Sequence, residues 1–530
     1  MLHATFLFVK TYSLWYILDF EGVEKKRGEE KEMKNWFKKA ASVLLVTTLL
    51  AGCSFGGKEE SSNTPQALKV MYYDEGSFFQ EYGMLFSTLY PEIEISVVTT
   101  QSIYRGNSGE NGEEVDYEKA RQELIDKEKP DILMLDIAEY EKMSQDGKFT
   151  DLEAFITKDK FDTAGLVPGM IDYMKELGGG QLYGLPSGFS SQVLFYNKGL
   201  FDKFNIPYPT DNMTWNEVIQ LARQFPTDGE KEDRIYGLKA GYSGNLSELA
   251  QTMAQSEGLN YVNPATKTMT INTAGWKNAV QTAYDAIKSE ALYFEAQDNM
   301  GFSGSYNDYL LRNPFTSNRV AMTIDGSYYI RDLKEAAEYY SKEEGKIVKD
   351  WDIVTIPVSS QMPDHSTSTW YNNIFAISKD SPNADAAWKF ISYISSEEHA
   401  RVKSKLTYNN GFSIHTKYIK DDEGHNFAAF YKLKPSKPTM DYKEFEKLPK
   451  QFSMMYYSYM EEEFKAIQDG NKSVDDALAS LQTKGEELLA QESMTDEEVN
   501  KLWEERNAEQ MKQMQEAAGE SGSVDTVIVE

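Results

Sequence analysis

Leu68-Lys-Val-Met-Tyr-Tyr73 and Pro130-Asp-Ile-Leu-Met-Leu-Asp136 flank the segment that sets the fold class. The second is a short continuous apolar run, the pattern of a strand buried on both faces of a parallel sheet. Between them, Glu75 to Tyr90 reads as a helix that stops before Pro91, and Ile93 to Thr99 reads as a second strand. A polar loop, Gln101 to Glu114, precedes a further helix from Asp116 to Lys127. Strands alternating with helices predict an α/β sheet. Ligands of such sheets sit outside the carboxyl ends of the strands, and Asp74 and Asp136 occupy two such ends.

Beyond this segment the chain carries clear helix-start signals. Thr214-Trp-Asn-Glu217 is a capping box, followed by Trp215, Val218, Ile219 and Ala222 at helical spacing. Ser381-Pro382 predicts an N-cap with proline at the first helical position, ahead of Ala384, Ala387, Trp388 and Ile391. Ser473 caps a helix whose apolar face carries Val474, Leu478, Leu481 and Leu488. The charged tail from Ser493 holds one further cap, Thr495 to Glu498, and its last residues read as disordered.

The chain has 530 residues, 55 Lys+Arg against 84 Asp+Glu, and a formal net charge of −29. That length suits several domains and a large core. The basic footprint of a nucleic-acid binder is missing, so no nucleic-acid partner is expected. A single cysteine excludes an intrachain disulfide and a thiolate cluster, and five histidines leave little for a metal site. Asp469-Gly-Asn-Lys-Ser-Val-Asp475 begins like a calcium loop but lacks its later ligands. Gly52 to Lys58 imitates a phosphate loop without the hydroxyl that should follow. No metal and no cofactor is expected.

The N-terminal region speaks to the compartment. Lys34, Lys38 and Lys39 precede an apolar run from Ala40 to Ala51, too short for the ~20 residues of a permanent membrane span. Leu50-Ala51-Gly52-Cys53 follows and looks like the bacterial lipobox, in which Cys53 is lipidated and becomes the mature N-terminus. Residues 33–52 then form a lipoprotein signal peptide and 53–66 a flexible tether rich in Gly, Ser and Pro. Residues 1–32 do not belong to such a signal. Glu24 to Glu32 uses only residues with all-purine codons, the signature of a translated ribosome-binding site, so Met33 is read as the true start, the alternative being a real N-terminal extension carrying the weakly apolar Tyr12–Phe20 segment. Removing residues 1–52 deletes 8 basic and 6 acidic residues, and 47 − 78 gives −31 for the processed chain. That spread of acidity reads as a solvated surface.

Several segments, in order, resemble the family 1 bacterial extracellular solute-binding proteins, the substrate-capturing lipoproteins of ABC importers, many of which bind sugars. They are Tyr183-Gly-Leu-Pro186 with Val193-Leu-Phe-Tyr-Asn-Lys198 and Thr214-Trp-Asn-Glu217; Arg319-Val-Ala-Met-Thr-Ile-Asp-Gly-Ser-Tyr328; Trp351-Asp-Ile-Val-Thr-Ile-Pro357; Ile374-Phe-Ala-Ile-Ser-Lys379 with Ala386-Ala-Trp-Lys-Phe390; and the helix Ser473 to Leu489. The loop at Gln101–Glu114, the stretch Asp421–Lys450 and the tail past Ser493 are longer than the family pattern. The resemblance implies a two-lobed periplasmic-binding-protein fold (type II-like) with hinge strands crossing between lobes near Ser190–Phe195, Thr369–Ile374 and Tyr408–Ile414. Lobe 1 would combine 66–192 with 371–410, and lobe 2 would combine 193–370 with 411–492, leaving 493–530 as the tail.

It also implies a non-catalytic, monomeric protein on the outer face of the cytoplasmic membrane, anchored through Cys53 and delivering a solute to ABC permease subunits. A carbohydrate suits the residues: aromatic faces take the C–H face of a sugar, and polar side chains take its hydroxyls. Tyr328, at the family's aromatic turn, is the first stacking candidate, with Trp370, Tyr371, Tyr242 and Phe189 beside it. Asp74, Glu75, Asp136 and Gln192 are the candidate hydroxyl partners. Two other readings stay open, a secreted glycoside-acting enzyme and a surface sugar sensor without transport.

Overall fold

The computed structural model describes residues 66–508, apart from 106–115, 230–233, 241–243, 295–308, 312, 344, 406–410, 422, 438–441, 496 and 507. Cys53, the signal segment, the tether, Tyr242 and the end of the tail lie outside the described residues.

The opening stretch forms a parallel layer. Gln66–Tyr72 runs beside Ile93–Thr99, with Val70 opposite Val97, and beside Ile132–Leu135, with Val70 opposite Ile132. Leu68, Val70, Ile132 and Leu135 are all fully buried, which is why these strands read as apolar runs. Asp131 is buried too, and every contact around it is made. Its carboxylate accepts from the Lys69 backbone N–H at 2.8 Å, from Ser381 Oγ at 2.6 Å and from Asn383 Nδ2 at 3.3 Å. Ser381 is therefore not the N-cap predicted from the Ser-Pro pair. The helix runs Ala384–Ile394 with Asn383 at its cap, and the Ser381 hydroxyl is committed to Asp131.

Strand Gly184–Asn197 carries the sheet onward by changing partners halfway. On one edge it pairs antiparallel first with Thr369–Ile377, Phe189 opposite Tyr371, and then with Trp351–Thr355, Phe195 opposite Ile353. On the other edge Phe189 exchanges backbone hydrogen bonds with Phe412 at 2.9 and 2.7 Å, and Gln192–Tyr196 then pairs with Met322–Gly326. A side chain at Gly411 (φ +97°) would meet the Phe189 carbonyl at 2.4 Å, so this close approach requires glycine. The strand order is Ile93–Thr99, Gln66–Tyr72, Ile132–Leu135, Thr369–Ile377, Gly184–Asn197, Met322–Gly326, Leu238–Lys239, Leu292–Tyr293.

Strand alternation divides the interior along this shared strand. Val193 and Phe195 join one core, with Phe189, Phe315, Tyr329, Trp351 and the parallel layer. Leu194 and Tyr196 join the other, with Trp215, Val218, Trp276, Phe464 and Leu478. The capping box at Thr214–Glu217 and the Ser473 cap form as predicted. Among the described residues no helix is long and apolar enough to cross a membrane.

Candidate functional site

The predicted helix from Glu75 to Tyr90 contains an irregularity. Glu75–Phe78 and Met84–Leu89 are α-helical, but Phe79–Gly83 is a π-helical turn. Such turns recur at functional sites because they re-aim one or two side chains. Here Glu81 and Tyr82 come from the wide turn. The Glu81 carboxylate accepts from Tyr72 Oη at 3.1 Å and Tyr82 Oη at 2.9 Å. Tyr82 Oη lies 2.8 Å from Ser187 Oγ and accepts from Asn373 Nδ2 at 2.9 Å. Asn373 reaches it from a left-handed backbone, φ +49°, which asparagine tolerates better than most residues. Burial first, then the Glu81 charge, pushes both tyrosine hydroxyls up, so they stay protonated donors.

Lys403, the last residue of helix Glu397–Lys403, brings its ammonium 3.6 Å from Glu81. It is only 7% exposed; burial lowers the ammonium's pKa and Glu81 opposes that shift. One turn earlier, His399 is buried against Tyr82, with ring centroids 6.0 Å apart. Desolvation, then the Lys403 charge, pulls its pKa down to about 4.

The facing wall comes from the end of Met322–Gly326 and the start of helix Tyr328–Tyr339. The Tyr328 hydroxyl donates to the Asp325 carboxylate, and the ring is 63% exposed. Trp370, 45% exposed, is contributed by strand Thr369–Ile377. Glu81, Lys403, Tyr328 and Trp370 line a cavity of about 520 Å³ whose other walls are Ser187, Ser190, Ser191, Gln192, Gly326, Ser327, Asn372, Asn373 and Gly411. It lies along Ser187–Gln192 of the shared strand, just before the residues that alternate between the two cores, and its size is that of a small-ligand pocket.

Of the residues proposed from sequence, the cavity brings together Tyr328, Trp370 and Gln192. Tyr371 and Phe189 face away from it. They are 3% and 0% exposed and pack on each other with centroids 6.3 Å apart. Trp370 and Tyr371 are strand neighbours on opposite faces, Trp370 toward the cavity and Tyr371 into the core. Asp74 and Asp136 do not line the cavity; each spends its carboxylate as a helix cap, on the N–H of Ser77 at 2.9 Å and of Glu139 at 2.8 Å. Glu75 follows in the first turn of its helix, exposed and also away from the cavity lining. Tyr242 lies outside the described residues. Glu81, Lys403, Ser187, Ser190, Asn372 and Asn373 were missed. Asn372 was legible, two residues beyond Trp370 on the same strand face. Glu81 was hidden by the π-turn.

Comparison with known proteins agrees with this architecture. The family model for bacterial extracellular solute-binding proteins matches residues 72–401. A putative binding protein of Brucella abortus is 24% identical over 259 residues, 48% of this chain and 54% of that protein, so the chain spans about half the length of such curated relatives. Among solved structures, the sugar-binding protein MalE of Xanthomonas citri aligns with a TM-score of 0.55 at 17% identity, covering 80% of this chain and 98% of that one. A family 1 extracellular solute-binding protein of Alicyclobacillus acidocaldarius aligns with a TM-score of 0.55 at 12% identity, covering 81% and 100%. These likenesses carry the fold, two α/β lobes joined by crossing strands. The chain belongs to the bacterial extracellular solute-binding protein family.

Proposed function

We propose that the protein captures a carbohydrate in this cleft, without chemically altering it, and hands it to the permease subunits of an ABC importer. The observation that carries the reading is the pairing of two exposed rings, Tyr328 and Trp370, with a wall of hydroxyls and amides from Ser187, Ser190, Ser191, Gln192, Asn372 and Asn373. Aromatic faces suit the C–H surface of a sugar, and the polar wall supplies both donors and acceptors to its hydroxyls. A sugar-binding neighbour of the same fold supports the choice. Lobe 1 then combines 66–192 with 371–410 and lobe 2 combines 193–370 with 411–492, closing about the crossing strands. Cys53 carries the lipid that holds the protein, as a monomer, on the outer face of the membrane.

The test is a thermal-shift and tryptophan-fluorescence screen of the purified protein against an oligosaccharide panel, with product analysis. A ligand bound only by the folded state raises the melting temperature. Saturable binding with the sugar recovered intact is the expected result. Turnover overturns the reading in favour of a glycoside-acting enzyme. Metabolic labelling with a clickable fatty acid, lost in Cys53→Ala, tests the anchor.

A further inference from the structure

We propose that the Glu81–Lys403 ion pair makes the cleft select uncharged solutes and exclude acidic ones. The inference rests on the carbohydrate reading and narrows it to neutral glycans, as against uronates, sugar phosphates and amino sugars.

Among the described residues that line the cavity, Glu81 and Lys403 alone bear formal charge. They are set against each other at 3.6 Å, with the lysine side chain 9% and the glutamate 27% exposed. Their charges cancel within the site. Glu81 is held there by two tyrosine hydroxyls, Tyr72 and Tyr82, so it cannot swing aside to free the ammonium without breaking both bonds. The Lys403 ammonium lies against the backbone at Gly188, where a Cβ would stand 3.3 Å from Nζ.

An incoming carboxylate or phosphate would find the ammonium already matched and the Glu81 carboxylate beside it. Like charges set side by side repel, which disfavours such a ligand. An incoming ammonium meets the mirror-image obstacle at Lys403. A neutral hydroxyl donates to Glu81 and accepts from Lys403 without disturbing the pair, since a hydroxyl does both at once. The two charges thus strengthen hydrogen bonds to a neutral ligand and act against a charged one. The chain's formal net charge of −29 works in the same direction against anions.

The experiment measures affinities of the full folded chain, by titration calorimetry, for matched sets of solutes. These are neutral oligosaccharides, their uronate-terminated, phosphorylated and amino counterparts, and non-sugar solutes of each charge. The wild-type ranking is itself a test and needs no variant. Neutral members should bind at least ~10-fold more tightly than their charged counterparts. The Glu81→Gln variant keeps the shape of the side chain and leaves Lys403 without its carboxylate. It should shift the ratio of uronate to neutral affinity by at least ~10-fold toward the uronate. Wild-type protein binding a charged glycan as tightly as the neutral one overturns the selection and leaves the carbohydrate reading standing. An unchanged ratio in folded Glu81→Gln also overturns it. Binding of a neutral non-sugar, with no glycan bound, supports the charge selection and overturns the carbohydrate reading.

Discussion

A side-chain carbon on Gly326 would come within 2.9 Å of the Tyr328 ring. The glycine of this turn is therefore there to let the aromatic two residues later lie flat across it. The backbone at Gly326 is ordinary strand, paired with Gln192 of the crossing strand, so no unusual torsion demands a glycine. The Asp-Gly-Ser-Tyr turn builds a ring platform at the mouth of the cleft, tied down at its hydroxyl end by Asp325.

Gly326→Ala should displace that ring and leave the fold intact. Losing one oriented aromatic contact is worth about 1–1.5 kcal/mol, or roughly ten-fold in affinity. Titration calorimetry with the cognate solute reads the loss. In the Gly326→Ala background a further Tyr328→Ala change should cost much less than it does alone, and full additivity would refute the coupling.

Tyr328→Ala by itself should weaken binding by roughly 1–3 kcal/mol with little change in melting temperature, since the ring is largely exposed. Trp370→Ala should do the same and also remove the largest part of any ligand-induced fluorescence change. By contrast, Tyr371→Ala should lower stability by about 3–5 kcal/mol, because it empties a buried aromatic site. A Tyr371→Ala protein that melts normally would place that ring outside the core.

His399 makes stability fall with pH. Its ordinary pKa is 6.5, and in the fold it is lowered to about 4, first by desolvation and then by Lys403. Tyr82 and Tyr393 face the ring, and Glu81 stands nearby. Between pH 6.5 and 4 the unfolded chain carries this proton and the folded chain does not. Stability is therefore full above 6.5, declines as the pH drops toward 4, and loses about 3 kcal/mol in all through this group. Urea denaturation of wild type and His399→Gln across this range checks it. The difference between the two curves should slope in this window and flatten outside it.

Asp131→Ala should cost about 2–4 kcal/mol, because it strands the Lys69 N–H and the Ser381 hydroxyl together. Asp131→Asn, which keeps an acceptor, should cost less. Solute affinity should be unaffected in both, since Asp131 lies away from the cavity. A drop in affinity would mean that the parallel layer and the cleft are coupled.

The strands and most helix starts were legible because they obey local rules, the Ser381-Pro382 start being the exception. The apolar run Ile132–Leu135 is buried on both faces, and Thr214 and Ser473 cap the helices they announce. The site was legible where a motif encodes geometry, as at Tyr328, and half so where the resemblance placed a crossing, which named Trp370 and, wrongly, its buried neighbour Tyr371. It was illegible where long-range packing decides. Nothing local in Phe79–Gly83 announces a π-turn, so Glu81 read as one carboxylate among 84 acidic residues. Lys403 lies far along the chain and acquires its role only when helix Glu397–Lys403 is brought against that turn. Asp74 and Asp136 show the converse: a strand end is a good place to look for ligand contacts, yet a carboxylate there is equally suited to start the next helix.

Strand Thr369–Ile377 sits between Ile132–Leu135 and Gly184–Asn197, with Ile374 paired to both Leu135 and Pro186. The middle of the sheet is thus filled by a late part of the chain. During synthesis the earlier strands are made with that slot open, and each presents an unpaired edge until the later segment arrives. Such late, non-local closure slows folding and leaves sticky edges exposed in the meantime. The same order of assembly means that a chain cut short before Thr369 lacks the strand joining its two halves. Its products should be insoluble or degraded, because the missing strand is at the centre of the sheet.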